Sequence, residues 1–191
     1  TRAFFYALKL YEDLGNKHGI EAITGNIGNV YENQKNYPKS LEFKLKALKI
    51  AEELGDLDAI SRNQNNVGNT YAMLGDHVRE LEYYRKSLKT NIELRDSISM
   101  ALSLINIGTA FEEQKAHDSA IGYFTLAMEI AEKSGDAYAI SKAFGNTGAT
   151  YLNLAMYGGI RKVNIDENLS KANLCINKAI AMNRETGDLY G

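Results

Sequence analysis

The chain has 191 residues, a formal net charge of -2 and 45% hydrophobic residues, which is enough apolar material to bury a core. A charge so near neutral excludes a generic nucleic-acid or anionic-membrane surface, which needs clustered Lys and Arg, and no apolar run approaches the roughly 20 residues of a membrane span. Cys175 is the only cysteine, so an internal disulfide and a cysteine metal cluster are both excluded, and a reduced, cytoplasmic compartment without cofactor or metal is the expectation.

Apolar residues recur at helical steps from the first residues onward. Ala7, Leu8, Leu10, Tyr11 and Leu14 set the register. Ala47, Leu48, Ile50, Ala51 and Leu54 repeat it, as do Ala127, Met128, Ile130 and Ala131. No stretch alternates with period two for long, so no strand is expected. Gly15-Asn16, Gly55-Asp56, Gly75-Asp76, Gly135-Asp136 and Gly187-Asp188 punctuate the pattern. Gly takes the left-handed turn after a helix, and Asp or Asn accepts the first N–H groups of the next one. Arg95-Asp96 keeps only the cap. Pro38, the single proline, falls at a helix start, where its missing N–H costs little.

These signals predict helices over 2–14, 19–34, 38–54, 57–74, 77–94, 97–114, 117–134, 137–156 and 168–186. They alternate in two types, B then A through the chain, and connections this short make neighbours antiparallel.

A longer period organises the pairs. Gly28, Gly68, Gly108 and Gly148 stand forty residues apart, each two residues after an Asn and three before Tyr31, Tyr71, Phe111 or Tyr151. A fixed period of this size marks a repeat array. Gly inside a helix costs about 1 kcal/mol against Ala, so four in one register imply close approach of helix A to helix B. Ala47, Ser87 and Ala127 are the small residues expected to face that contact.

The pattern resembles the tetratricopeptide repeat family. Each Gly with its aromatic fits the first half of that repeat, Ala120, Phe124 and Ala127 fit the second half well, and Ser40, Lys44 and Ala47 fit it less well. The family's usual 34 residues become 40 here, which resembles the variant of bacterial signalling proteins and kinesin light chains. The resemblance implies an all-α, right-handed superhelical solenoid. On this reading residues 1–191 form one array: a partial repeat at 1–18, full repeats at 19–56, 57–96 and 97–136, and a last repeat at 137–188. That last repeat carries about 12 extra residues near 157–168, read either as a surface loop or as a docking flap. The chain begins at Thr1 rather than Met and breaks the pattern at both ends, so the expectation is a longer parent, or self-association through open array ends.

In the family the concave groove is lined by A helices, and the position two before the glycine resembles a groove position. Asn26, Asn66, Asn106 and Asn146 occupy it, about 200° round the helix from the glycine. Neighbours on the same face extend each into a stripe. These are Asn29 and Asn33 with Asn26, then Arg62, Asn69 and Met73 with Asn66. Leu102 and Glu113 accompany Asn106, and Lys142 and Asn153 accompany Asn146. An amide pairs with both the N–H and the C=O of a peptide unit, so an Asn ladder suits the backbone of an extended segment. The alternative is that each Asn bonds the neighbouring A helix and fixes repeat stacking, and the two uses can coexist. Asn69, Asn106 and Lys142 also match three places of a family subtype that clamps C-terminal carboxylates. Asn65 and Asn146 stand where that subtype has Lys and Arg, so only a mild preference for acidic peptides follows.

His18, His77 and His117 are too dispersed along the chain for a ligand set, and no nucleophile, base and orienting group share a local signature. The functional expectation is a non-catalytic protein-interaction scaffold. The alternative is a sensory or oligomerisation segment of a larger bacterial signalling protein, such as a sensor kinase, nucleotide cyclase or transcription regulator.

Overall fold

The computed structural model describes residues 2–157 and 165–185. These residues form α1 (Arg2–Asp13), α2 (Lys17–Asn33), α3 (Tyr37–Leu54), α4 (Leu57–Leu74), α5 (His77–Leu94), α6 (Ser97–Glu113), α7 (His117–Ser134), α8 (Ala137–Tyr157) and α9 (Ile165–Glu185). The expected spans agree to within three residues at every end. Residues 158–164 of the expected insertion, and the expected break at Gly187-Asp188, lie outside the described residues. No described helix is long and apolar enough to cross a membrane.

The helix ends show why the boundaries fall where they do. A residue with positive φ stands every twenty positions, at Gly15, Lys35, Gly55, Gly75, Arg95, Lys115 and Gly135. After it the chain turns back. The N–H of Asp56 returns to the Ala51 carbonyl at 3.2 Å and that of Asp76 to Tyr71 at 3.0 Å, which satisfies carbonyls the helix end would orphan. The same Asp or Asn then caps the following helix. Asn16 accepts from the Gly19 N–H at 2.9 Å, Asp56 from Ala59 at 3.0 Å and Asp136 from Ala139 at 2.6 Å. Two of these turns escape a glycine search, because Lys35 and Lys115 take the left-handed conformation without glycine.

The chain divides into two compact units, Thr1–Arg95 and Asp96–Gly191. The first holds α1 to α5, each helix packed on the next. Its apolar cluster centres on Leu48, Val67 and Tyr71, with Leu41, Leu45, Ile60 and Tyr83 against it. In the second, α6 to α9 pack in sequence and α6 also meets α8. Its core joins Ala101, Ala131, Ala139, Ile140, Phe144 and Ala179.

The periodic glycines do sit where helix B presses on helix A, but their partners differ from the expected ones. A Cβ on Gly68 would meet the Tyr84 ring at 2.6 Å, on Gly108 the Phe124 ring at 2.5 Å, and on Gly28 the Lys44 stem at 2.8 Å. The contact is thus made by bulky side chains sixteen residues on, which the missing Cβ admits. Ala47 lies one turn further along, facing Gly25 at 3.8 Å, and Ser87 is engaged with the Ser61 hydroxyl at 3.1 Å.

The aromatic after each glycine stacks on helix B as well. Tyr31 pairs with Phe43 at 5.5 Å, Tyr71 with Tyr83 at 5.5 Å and Phe111 with Tyr123 at 5.3 Å. Basic residues complete the set, Lys39 over Tyr31 at 5.3 Å and Arg79 over Tyr71 at 5.2 Å. In the last pair Lys171 lies over Tyr151 at 5.4 Å, and Gly148 meets Ile176. Both partners stand twelve positions later than the period demands, so α9 resumes the register after the insertion. Cys175 then occupies the place of Phe43, Tyr83 and Tyr123. It is half-buried, and burial pushes its thiol pKa up.

Candidate functional site

The candidate surface lies on the A helices, and each unit carries its own part of it. In the first unit Asn26, Asn29 and Asn33 are all exposed on α2, while Ile27 and Gly28 on the other side are buried. On α4, Arg62 and Met73 are exposed and Asn66 and Asn69 are half-buried, against buried Val67 and Gly68. In the second unit Glu113 and Lys142 are exposed, and Leu102, Asn106, Asn146 and Asn153 are half-buried. The helical period therefore sorts most of the predicted residues onto faces that B helices leave open, with two exceptions: Leu102 packs against the core of its unit, and Asn69 meets Tyr84 of α5.

Several members of the stripe are already engaged. Arg62 directs its guanidinium at both Glu21 oxygens, at 3.1 and 3.2 Å, from α4 to α2. Asn69 accepts from the Tyr84 hydroxyl at 2.7 Å, which steadies the ring that fills the space over Gly68. Lys142 sits over the Tyr138 ring at 5.7 Å. Asn153 donates to Glu112 at 2.8 Å. These four present oriented groups rather than free ones.

The amide that joins neighbouring A helices in the first unit is Asn63, which sequence reasoning did not single out. Only 2% exposed, it donates to Glu21 at 2.5 Å and to the Ala59 carbonyl at 2.9 Å. Glu21, 4% exposed, thus receives Asn63 and Arg62 together, the pairing a buried carboxylate needs. Residues at multiples of forty positions from Asn63 are Ile23, Ser103 and Ala143, so no periodic signal marked it. Lys44, buried over Gly28, finds its counter-charge in Glu32, and the Thr70 hydroxyl donates to that same carboxylate at 3.5 Å.

In the second unit Glu112 is the electrostatic centre. Burial alone would raise its carboxyl pKa, but hydrogen bonds from Asn153 and from His117, at 2.7 Å, hold it below the usual value. His18 is exposed, 3.6 Å from Asp56, and His77 lies 2.8 Å from Glu80.

Residues 19–93 match the family model described as tetratricopeptide repeat. This stretch lies wholly in the first unit and takes in the helix pairs α2–α3 and α4–α5, so it is a tetratricopeptide-repeat segment. No curated protein matches the sequence significantly. Among solved structures, BtubC from P. vanneervenii is similar over 92% of this chain and 67% of its own, with 23% identity and a TM-score of 0.71. Aspartyl phosphate phosphatase F from Bacillus subtilis is similar over 98% of this chain but 50% of its own, with 16% identity and a TM-score of 0.76. A Rap protein complexed with Competence and Sporulation Factor is similar over 98% of this chain and 51% of its own, with 16% identity and a TM-score of 0.73. The chain thus has an all-α fold of tetratricopeptide-like helix pairs and spans about half the length of the last two proteins.

Proposed function

We propose that this chain is a non-catalytic interaction scaffold that holds an extended peptide segment of a partner on its A-helix stripes. The observation that carries the reading is the placement of the periodic asparagines. Asn26 is exposed and Asn66, Asn106 and Asn146 stay half-exposed, on faces opposite the glycine contacts, although Asn is a mediocre helix former. The repeat family is used for interaction surfaces, and a Rap protein of this fold was crystallised with Competence and Sporulation Factor, which supports a binding use of the scaffold.

Magnitudes assign the supporting contacts. Amide bonds to a peptide backbone contribute about 0.5–1.5 kcal/mol net each, whereas micromolar binding needs about 8 kcal/mol. Met73, 55% exposed, supplies apolar contact in the first unit. Arg62, already oriented by Glu21, and Lys142 supply cations for a mildly acidic segment.

A peptide array probed with the purified chain tests this reading. The expected result is a set of extended peptides whose binding falls about tenfold or more in the Asn66→Ala and Asn146→Ala variants, with helicity unchanged by circular dichroism. Bound peptides indifferent to both substitutions, or an array without binders, would remove the ladder from the mechanism.

A further inference from the structure

A second site stands apart from the A-helix stripe. In the first unit α3 and α5 border a cleft of about 350 Å³ floored by α4, and none of the stripe residues lines it. That volume is at the small end of ligand sites. The apolar part of its wall is Leu48, 6% exposed, with the Tyr83 ring. The Tyr83 hydroxyl pKa is raised, first by burial.

Its polar groups are unusual for this fold position. Gln64 and Thr90, each 8% exposed, meet at the base, with the Thr90 hydroxyl 3.0 Å from the Gln64 Oε1 and 3.1 Å from the Lys86 carbonyl. One hydroxyl hydrogen serves two acceptors, so one end of the buried Gln64 amide is left for an occupant. Glu52 stands on one wall, and Glu93 and Lys89 on the other. None of these three belongs to an ion pair among the described residues. Lys86 is occupied, bonded to Glu82 at 2.6 Å and lying 4.5 Å over the Tyr83 ring. Forty residues on, Glu52, Gln64, Lys86 and Thr90 are replaced by Ile92, Leu104, Leu126 and Ile130. The fold therefore does not require polarity at these places.

We propose that this cleft binds a free α-amino acid with an aliphatic side chain. The side chain lies on Leu48 and the Tyr83 ring, and the ammonium group sits between the Glu52 and Glu93 carboxylates. The carboxylate meets Lys89, and the spare end of the Gln64 amide closes the hydrogen-bond set. Two carboxylates with one uncommitted ammonium suit a zwitterion better than a simple anion. A lone cation would leave Lys89 unmatched.

The test uses the intact chain, titrated with L-leucine at millimolar concentration and followed by heteronuclear NMR. N-acetyl-L-leucinamide, which lacks both charges, is the control. The expected result is saturable shifts at Tyr83 and Gln64 with leucine, absent with the capped analogue. Gln64→Leu with Thr90→Ile, the pair found forty residues on, is a variant whose fold the next repeat already accommodates. It should weaken leucine binding at least about tenfold while peptide binding at the A-helix stripe stays unchanged. Non-saturable shifts, equal response to the capped analogue, or full binding in the double variant would overturn the assignment.

Discussion

Asn153 on α8 donates to Glu112 on α6 at 2.8 Å, so a side chain one repeat away holds that carboxylate in place. His117 holds it from the other side. Burial would raise the Glu112 pKa, and these bonds win, leaving it below the ordinary value. A folded-state pKa depressed below the unfolded one contributes stability above the unfolded pKa, lost as pH falls through the folded pKa. Glu112→Gln should therefore cost about 1.5 kcal/mol at neutral pH, the scale of hydrogen bonds to a charged group. The gap to the wild-type chain should close as pH falls below the ordinary glutamate range. Urea midpoints of both proteins, taken from neutral to acid pH, check this. A gap constant with pH would show that the carboxylate charge contributes nothing.

The glycine contacts predict opposite signs for one chemical change. At Gly108 an added methyl would stand 2.5 Å from the Phe124 ring, which is itself 1% exposed and has no room to retreat. Gly108→Ala should destabilise by about 1–3 kcal/mol, the range for overpacking. At Gly145, also mid-helix, an added Cβ meets nothing within 4 Å. Gly145→Ala should stabilise by about 1 kcal/mol through helix propensity alone. Thermal midpoints of the two variants should move in opposite directions from the parent.

Helix α7 starts without a side-chain cap. Ala116 holds its Ncap position at φ -88 and ψ 60, close to Asp76 at φ -92 and ψ 75, which does accept a bond from Arg79. The backbone is already in place for a capping side chain. Ala116→Asn should add about 0.5–1.5 kcal/mol, and Ala116→Gly a few tenths of a kcal/mol less. Equal gains from both would mean that backbone freedom, rather than the amide, was responsible.

Helix order and ends were legible because the turn chemistry recurs every twenty residues and each cap is a short-range event between residues three apart. Contacts across helices were less legible. The small residues Ala47, Ser87 and Ala127 carried the right composition for the glycine contact but lie one turn from it. Bulky Lys44, Tyr84 and Phe124 occupy it because a missing Cβ makes a hole for a large neighbour. The stripe faces followed from helical geometry. Asn63, which bridges α4 and α2, appears once in its register, and periodicity reveals only what repeats. The polar contacts between α4 and α5, including Ser61 to Asn91 at 2.5 Å, emerge only when those positions are set beside the apolar Ala101 and Ala131 of the next pair.

Arg95 is the remaining irregularity in the turn pattern. It sits at φ 56, where the neighbouring turns of the same type have Gly55 at 66 and Gly135 at 73. A side chain in the left-handed region costs about 1–2 kcal/mol. Replacing it by glycine relieves that cost but loosens the unfolded chain by about 0.4–1 kcal/mol. The first term is larger, so Arg95→Gly should stabilise by about 0.5–1 kcal/mol, and Gly55→Arg should reverse the sign. Reading Arg95→Gly against Arg95→Ala in urea separates the two terms, because Arg95→Ala retains the strained conformation while changing chain entropy little. A gain shared by Arg95→Ala would assign the effect to loss of the guanidinium instead of relief of the backbone.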